Sequence, residues 1–300
     1  MGRPELRAIL LVMLAWATCA RAGADGHCDG VGRMAETRVH AGHAAVNGVS
    51  LYFEDHGPRG GVPLVLLNGG GSTIEVTWGQ ALPILARTRR VIALDEEGHG
   101  RSSFREGPSS FEASADDVAA LLEYLQVPRA DLMGFSNGAS IALQVAIRHP
   151  QRVRRLVFAS SLARRDGAPP AFWNFMEHAS LDNMPPPLQE AFLAVNPDPE
   201  ALRRMHDRDA ERMRNFRDVP DEQIRAVQVP VLVLAGDRDV ASPEHAAWLA
   251  RLFPRGRLMI LPGGHGEYLG ERLSSPPGSC YPQRALPLVL QFLDGPDEKQ

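Results

Sequence analysis

Gly134-Phe135-Ser136-Asn137-Gly138 is the stretch that decides how this chain folds. An apolar, strand-like run containing Ala130, Leu132 and Met133 leads into it, and a helix-like run over residues 139–149 follows. A G-x-S-x-G sequence between a strand and a helix puts its serine on a sharp turn, out of the sheet edge, where the hydroxyl can reach a substrate. The glycines leave room for strained backbone and for close helix–strand packing. A serine hydroxyl is a weak nucleophile at its ordinary pKa, so Ser136 needs a base, an acid and an oxyanion pocket from elsewhere in the chain.

Outward from that turn, short apolar, β-branched runs alternate with helix-like segments, the pattern of a mostly parallel sheet. Residues 50–55, 63–67, 91–94, 132–134, 153–159, 229–235 and 257–261 read as strands. Residues 82–87 are helix-like. Residues 114–125 have helical periodicity, with Ala115, Val118, Ala119, Leu122 and Leu125 on one face. Between residues 161 and 229 the alternation stops. Large apolar side chains (Phe172, Trp173, Phe175, Met176, Phe192, Met205, Met213 and Phe216) mix there with arginine and with helix-breaking Pro185-Pro186-Pro187, Pro197 and Pro199. The expected fold class is α/β, a mostly parallel central sheet flanked by helices, with a helical cap at about residues 162–228 inserted between two core strands. The polar residues from about Gly295 read as a disordered end.

Four strand-end motifs carry a resemblance, over roughly residues 45–293, to the α/β-hydrolase fold superfamily. They are Asn68-Gly69-Gly70-Gly71-Ser72, then Asp95-Glu96-Glu97-Gly98-His99-Gly100-Arg101-Ser102, then the turn at Ser136, then Gly236-Asp237-Arg238-Asp239 followed by Gly263-Gly264-His265. The resemblance implies a Ser-His-Asp triad in the chain order serine, acid, histidine. Ser136 would attack a carbonyl carbon, and His265 would take its proton and return it to the leaving group. Imidazole suits both steps because its unperturbed pKa lies near 6.5. Asp239, at the end of the strand over residues 231–235, would fix the ring tautomer and stabilise the imidazolium. The backbone N–H groups of Asn137 and Gly70 are the matching oxyanion-hole donors, Asn137 with the helix dipole behind it. The family commonly has histidine before that glycine; Asn68 stands there here.

Rival residues carry plainer expectations. Asp237 reads as a structural residue of the strand-end turn and Glu267 as a solvated carboxylate. His99, between two glycines, reads as part of a structural turn. His206, Asp207 and Asp209 lie in a charged helix-like run over residues 200–217, where a solvated face is expected rather than a metal site. The arginines of that run (Arg203, Arg204, Arg208, Arg212, Arg214, Arg217) alternate with acids, so no phosphate or nucleic-acid patch is expected. The aromatic and methionine side chains of the insertion either line a substrate pocket or pack the cap on the core.

Composition narrows the class. With 300 residues, 44% hydrophobic and 23% charged, the chain can build a large core, and a formal charge of −4 suggests no nucleic-acid partner. Of the 32 basic residues all but Lys299 are arginine, which reads as coding bias; with that lysine in a polar tail, Schiff-base chemistry has no candidate. Arg3 and Arg7 precede an apolar run over residues 8–17, and Ala20-Arg21-Ala22 offers an A-x-A cleavage site. That run is shorter than the roughly 20 residues of a bilayer span. Residues 1–22 are therefore expected to be a signal peptide and residues 23–300 the hydrolase domain, periplasmic or secreted, with no stable membrane span after cleavage. Cys28 and Cys280 would remain as one possible disulfide.

The expected activity is hydrolysis of a small-molecule, ester-like bond (ester, lactone or thioester) through an acyl-enzyme, with no cofactor and no metal. Within the resembling family amidase and C–C hydrolase chemistry stay open, as does a cofactor-free perhydrolase of the haloperoxidase kind. A non-catalytic periplasmic binding protein on the same scaffold is the alternative from another class.

Overall fold

A computed structural model describes residues 40–296. The expected signal peptide, Cys19, Cys28 and residues 297–300 lie outside the described residues. Eight strands form one sheet in the order β1-β2-β4-β3-β5-β6-β7-β8. They are β1 (His40–Val46), β2 (Val49–His56), β3 (Leu64–Leu67), β4 (Val91–Leu94), β5 (Ala130–Phe135), β6 (Val153–Ala159), β7 (Val231–Gly236) and β8 (Gly256–Leu261). From β4 to β8 every pairing is parallel; β1–β2 and β2–β4 are antiparallel. The central strands β3, β4 and β5 are buried along their whole length, as near-continuous apolar runs must be when helices cover both faces.

The sheet is flanked by α1 (Ile74–Trp78), α2 (Leu82–Leu85), α3 (Phe111–Tyr124), α4 (Asn137–Arg148), α9 (Pro243–Leu252) and α10 (Tyr281–Leu293), and the helices α5 (Pro170–Glu177), α6 (Pro186–Val195), α7 (Pro199–Arg214) and α8 (Asp221–Arg225) come between β6 and β7. One apolar cluster joins α3, α4 and α9 to one face of the sheet, around Val118, Ile141 and Leu249. A second joins α1, α2 and α10 to the other, around Trp78, Leu85 and Leu286.

Sequence reasoning missed β1. Its alanine, histidine and glycine residues have weak strand propensity, yet Asn47-Gly48 is a strong two-residue hairpin signal, and both residues take positive φ (48° and 80°). The prolines read as breakers also start helices. Pro186 and Pro199 each open one, as Pro170 also does, where a missing N–H costs nothing.

The strands end where the site begins. Gly134 and Gly138 let α4 pack against its own strand and against β3. A Cβ at Gly134 would lie 2.2 Å from the Gly138 carbonyl oxygen, and one at Gly138 would lie 2.4 Å from the carbonyl oxygens of Leu67 and Asn68. Between them Ser136 has φ 54° and ψ −122°, a conformation that costs a non-glycine residue ~1–3 kcal/mol. The backbone is strained at the one residue read as the nucleophile.

Candidate active site

Ser136, Asn137, Gly70, Gly71 and His265 line one cavity, roofed by residues of the insertion. His265 Nδ1 lies 2.6 Å from Asp239 Oδ1. The ring is partly exposed in the cavity (34%) and the carboxylate is fully buried (0%). Asp239 also accepts from the backbone N–H of Val240 at 2.7 Å and of Gly236 at 3.2 Å. Burial alone would raise the Asp239 carboxyl, but His265, Ser160 and the Gly236 amide more than offset it, and it stays below the usual carboxylate range. Burial lowers the His265 imidazole, while Asp239 and, to a smaller extent, Glu271 raise it, and the net shift is upward. Among the described hydrogen bonds none joins Ser136 to His265; such contacts are often long before substrate binds.

Asp237 and Glu267 support the loop that carries His265. Asp237 Oδ1 accepts from the Gly263 N–H at 2.8 Å, and Glu267 Oε2 accepts from the Gly264 N–H at 2.9 Å. Phe135 lies beneath the imidazole, with ring centroids 4.7 Å apart.

The glycine turn presents one unused donor. Asn68 N–H goes to Glu96 Oε1 at 2.6 Å, Gly69 N–H to Thr77 Oγ1 at 3.3 Å, and Gly71 N–H to His99 Nε2 at 3.2 Å. Among the described hydrogen bonds, the N–H groups of Gly70 and Asn137 have no acceptor. Asn137 opens α4, where the first N–H groups have no partner within the helix. The arrangement therefore offers two free backbone donors beside a strained serine, with a carboxylate-held imidazole in the same cavity. That set can carry acyl transfer.

Asn68, which stands where histidine is common, is buried and donates through Nδ2 to the Leu94 carbonyl at 2.9 Å, tying the glycine turn to the end of β4. The Asp95–Ser102 turn is bound to itself: Ser102 Oγ donates to the Asp95 carbonyl at 2.6 Å, and Asp95 carboxylate oxygens accept from Ile74 N–H at 3.0 Å and Arg101 N–H at 3.1 Å. Within it His99 Nδ1 faces the Glu97 carbonyl at 3.1 Å, which leaves Nε2 to accept from Gly71. His99 thus braces the glycine turn from behind.

Four side chains near the site escaped sequence reasoning. Ser160, just past β6, is buried with φ 52°; its hydroxyl donates to Asp239 Oδ2 and lies 2.7 Å from the hydroxyl of fully buried Tyr268. Nothing local in the sequence marks either residue. Asp209 and His206, expected on a solvated face, instead line the cavity, while Asp207 does face solvent. The reason is helical period: Leu202, Met205, His206, Asp209 and Met213 fall at i, i+3, i+4, i+7 and i+11, one inward face of α7. The arginines alongside also differ from a solvated face. Arg212 is buried against Asp209, and Arg208 Nη2 pairs with Glu97 at 2.8 Å. The aromatic and methionine side chains divide. Phe172, Phe175, Met176, Met213 and Phe216 line the cavity, whereas Phe192 and Met205 pack with Val76. Among the described residues no group of three or more His, Cys, Asp or Glu is gathered as metal ligands. No described helix is long and apolar enough to cross a membrane.

Residues 62–200 match the alpha/beta hydrolase fold family. The acetyltransferase component of an acetoin cleaving system (dihydrolipoyllysine-residue type) from Pseudomonas putida is 30% identical over 243 residues, 74% of this chain and 63% of the relative. The 2-hydroxymuconate semialdehyde hydrolase of Pseudomonas sp. (strain CF600) is 41% identical over 110 residues, 35% of this chain and 38% of the relative. The chain thus spans less than two thirds of the length of either relative. A hydrolase structure from Pseudomonas aeruginosa PA01 superimposes with a TM-score of 0.67 at 27% identity, covering 85% of this chain and 98% of that one.

Proposed function

We propose, from the premise that this chain belongs to the alpha/beta-hydrolase superfamily, that it is a serine hydrolase cleaving an ester-like bond through Ser136, His265 and Asp239. The observation that carries this reading is the single cavity shared by a strained serine, an imidazole paired with a buried carboxylate, and two backbone N–H groups without acceptors. Two of the three similar proteins described above are hydrolases by name.

In the proposed reaction Ser136 Oγ attacks the carbonyl carbon as His265 Nε2 takes the hydroxyl proton. The developing oxyanion accepts from the N–H groups of Gly70 and Asn137, which cost no reorganisation because they are already free. Collapse expels the alcohol or thiol, protonated by His265, and leaves an acyl-serine. Water then repeats the sequence and releases the acid. Asp239 holds Nδ1–H throughout, so Nε2 is the basic nitrogen in the ground state.

We further infer export. Residues 1–22, outside the described residues, have the charge, apolar run and A-x-A site of a signal peptide. Cys280 is disulfide-bonded, and the other two cysteines, Cys19 and Cys28, lie outside the described residues. A disulfide favours an oxidising compartment.

A chain-length series of p-nitrophenyl esters, run beside lactones and thioesters, tests the activity. The native protein should hydrolyse at least one class, and Ser136→Ala should lose about 10⁴-fold or more in kcat. Equal rates for the two proteins would contradict the assignment.

A further inference from the structure

The cavity over Ser136 is walled largely by carbon, with Phe172, Phe175, Met176, Met184 and Leu188 among its lining residues. One carboxylate interrupts that surface. Asp209, on the inward face of α7, reaches the glycine turn so closely that a Cβ on Gly70 would meet its Oδ2 at 2.4 Å.

Its two oxygens have different surroundings. Oδ1 takes the Arg212 guanidinium and the Asn137 side-chain amide at 3.3 Å. Among the described hydrogen bonds, Oδ2 has only that same amide, at 3.4 Å. His99 Nε2 lies 3.8 Å from Oδ2, beyond hydrogen-bond distance, and accepts the Gly71 N–H instead. A carboxylate oxygen has about two lone-pair sites. Oδ2 therefore keeps accepting capacity beside the turn that holds the free Gly70 N–H.

The group is also charged. Burial alone would raise the Asp209 carboxyl, but the adjoining Arg212 guanidinium leads the groups that outweigh it, and the acid stays well below the usual carboxylate range. No lysine or arginine is among the residues lining this cavity. A substrate N–H or O–H placed there would meet a strong, charged acceptor.

We propose that Asp209 Oδ2 is a substrate-binding acceptor, and that the substrate bears an N–H or O–H donor on the atom next to its scissile carbonyl. N-acylamino esters and lactones and their hydroxy-acid counterparts have that form. This rests on the serine-hydrolase reading above. Gly70 N–H marks where the carbonyl oxygen sits, and Asp209 Oδ2 abuts the same glycine, so the donor it meets must be close to the carbonyl. Arg212 neutralises much of the carboxylate's charge, which keeps Asp209 from opposing the oxyanion at Gly70.

The test compares methyl esters of N-acetylglycine and N-acetylsarcosine, which differ only by a methyl group in place of the N–H proton. In the native protein the N–H ester should be favoured about ten-fold or more in kcat/KM, the scale of one hydrogen bond to a charged acceptor. The same preference should appear in binding to Ser136→Ala, where no turnover occurs. It should shrink in Asp209→Asn. It should vanish in the double variant Asp209→Ala with Arg212→Leu, which leaves no buried charge unpaired. Labelling by a fluorophosphonate reports whether each variant with Ser136 keeps its site. Equal kcat/KM for the two esters in a native protein that labels would overturn the Asp209 assignment alone. So would a preference that persists in the labelled double variant. A native protein that neither labels nor hydrolyses any ester would instead remove the serine-hydrolase reading, and this assignment with it.

Discussion

Asp239 binds His265 Nδ1, the Ser160 hydroxyl and two backbone N–H groups at once, whereas Asp237 binds the Gly263 amide. Asp239→Asn should therefore lower kcat by about 10³–10⁴, by loss of the tautomer and of imidazolium stabilisation. Asp237→Asn should cost less than about ten-fold, because the amide can still accept from Gly263. The reverse order in steady-state kinetics would move the acid to Asp237. Because Asp239 raises the His265 imidazole, the neutral base is lost as pH falls through a value above the ordinary 6.5, and kcat/KM should fall there. In Asp239→Asn that limb should move to lower pH, since the group that raises the imidazole has gone. A pH–rate profile flat from 5 to 8 would argue against His265 as base. Ser160→Ala should cost about ten-fold or more in kcat with little change in KM, as expected of a residue that positions Asp239. That Ser136, Asp239, His265, Gly70 and Asn137 come together was legible in the sequence because each sits at a strand end beside a motif. Ser160 and Tyr268 were not: 79 residues separate Ser160 from Asp239 and 108 separate it from Tyr268, and only the sheet brings them together.

At the scale of elements, β5 and α4 meet through two glycines that admit no side chain. Gly134→Ala or Gly138→Ala would drive a methyl group to within 2.2 or 2.4 Å of backbone carbonyl oxygens. Overpacking of this kind costs ~1–3 kcal/mol, which should lower Tm by roughly 2–5 °C in a chain of this size. Gly42→Ala is the control, since its nearest heavy atom would lie at an ordinary 3.6 Å, and its Tm should hold. The parallel strands were readable as apolar runs ending in turn motifs. The edge strand β1 was not, because its register is set by the Asn47-Gly48 turn rather than by its composition. For α7 the charged residues masked an amphipathic period. An arginine-rich helix reads as solvated until its i, i+3, i+4 positions are traced, and that face holds Asp209.

Across the whole molecule, the ends of the sheet strands carry the proposed triad and the segment between β6 and β7 supplies most of the cavity wall. This division explains why the candidate triad was readable from sequence while the cavity wall was not. Strand-end motifs have fixed spacing, but the wall depends on how α5, α6 and α7 pack over it. The disulfide at Cys280 matters at this scale too. Removing a native disulfide typically costs ~2–5 kcal/mol, so Cys280→Ser should lower Tm of the oxidised protein, and reductant should lower that of the native protein alike.

The central claim is that Ser136 is the nucleophile of an acyl-transfer site, and covalent labelling tests it most directly. The protein is treated with a fluorophosphonate and its intact mass and peptides are measured. One adduct on the peptide containing Ser136, absent in Ser136→Ala and strongly slowed in His265→Ala, is the predicted result. An adduct that persists in Ser136→Ala, or a folded native protein that takes none, would contradict it.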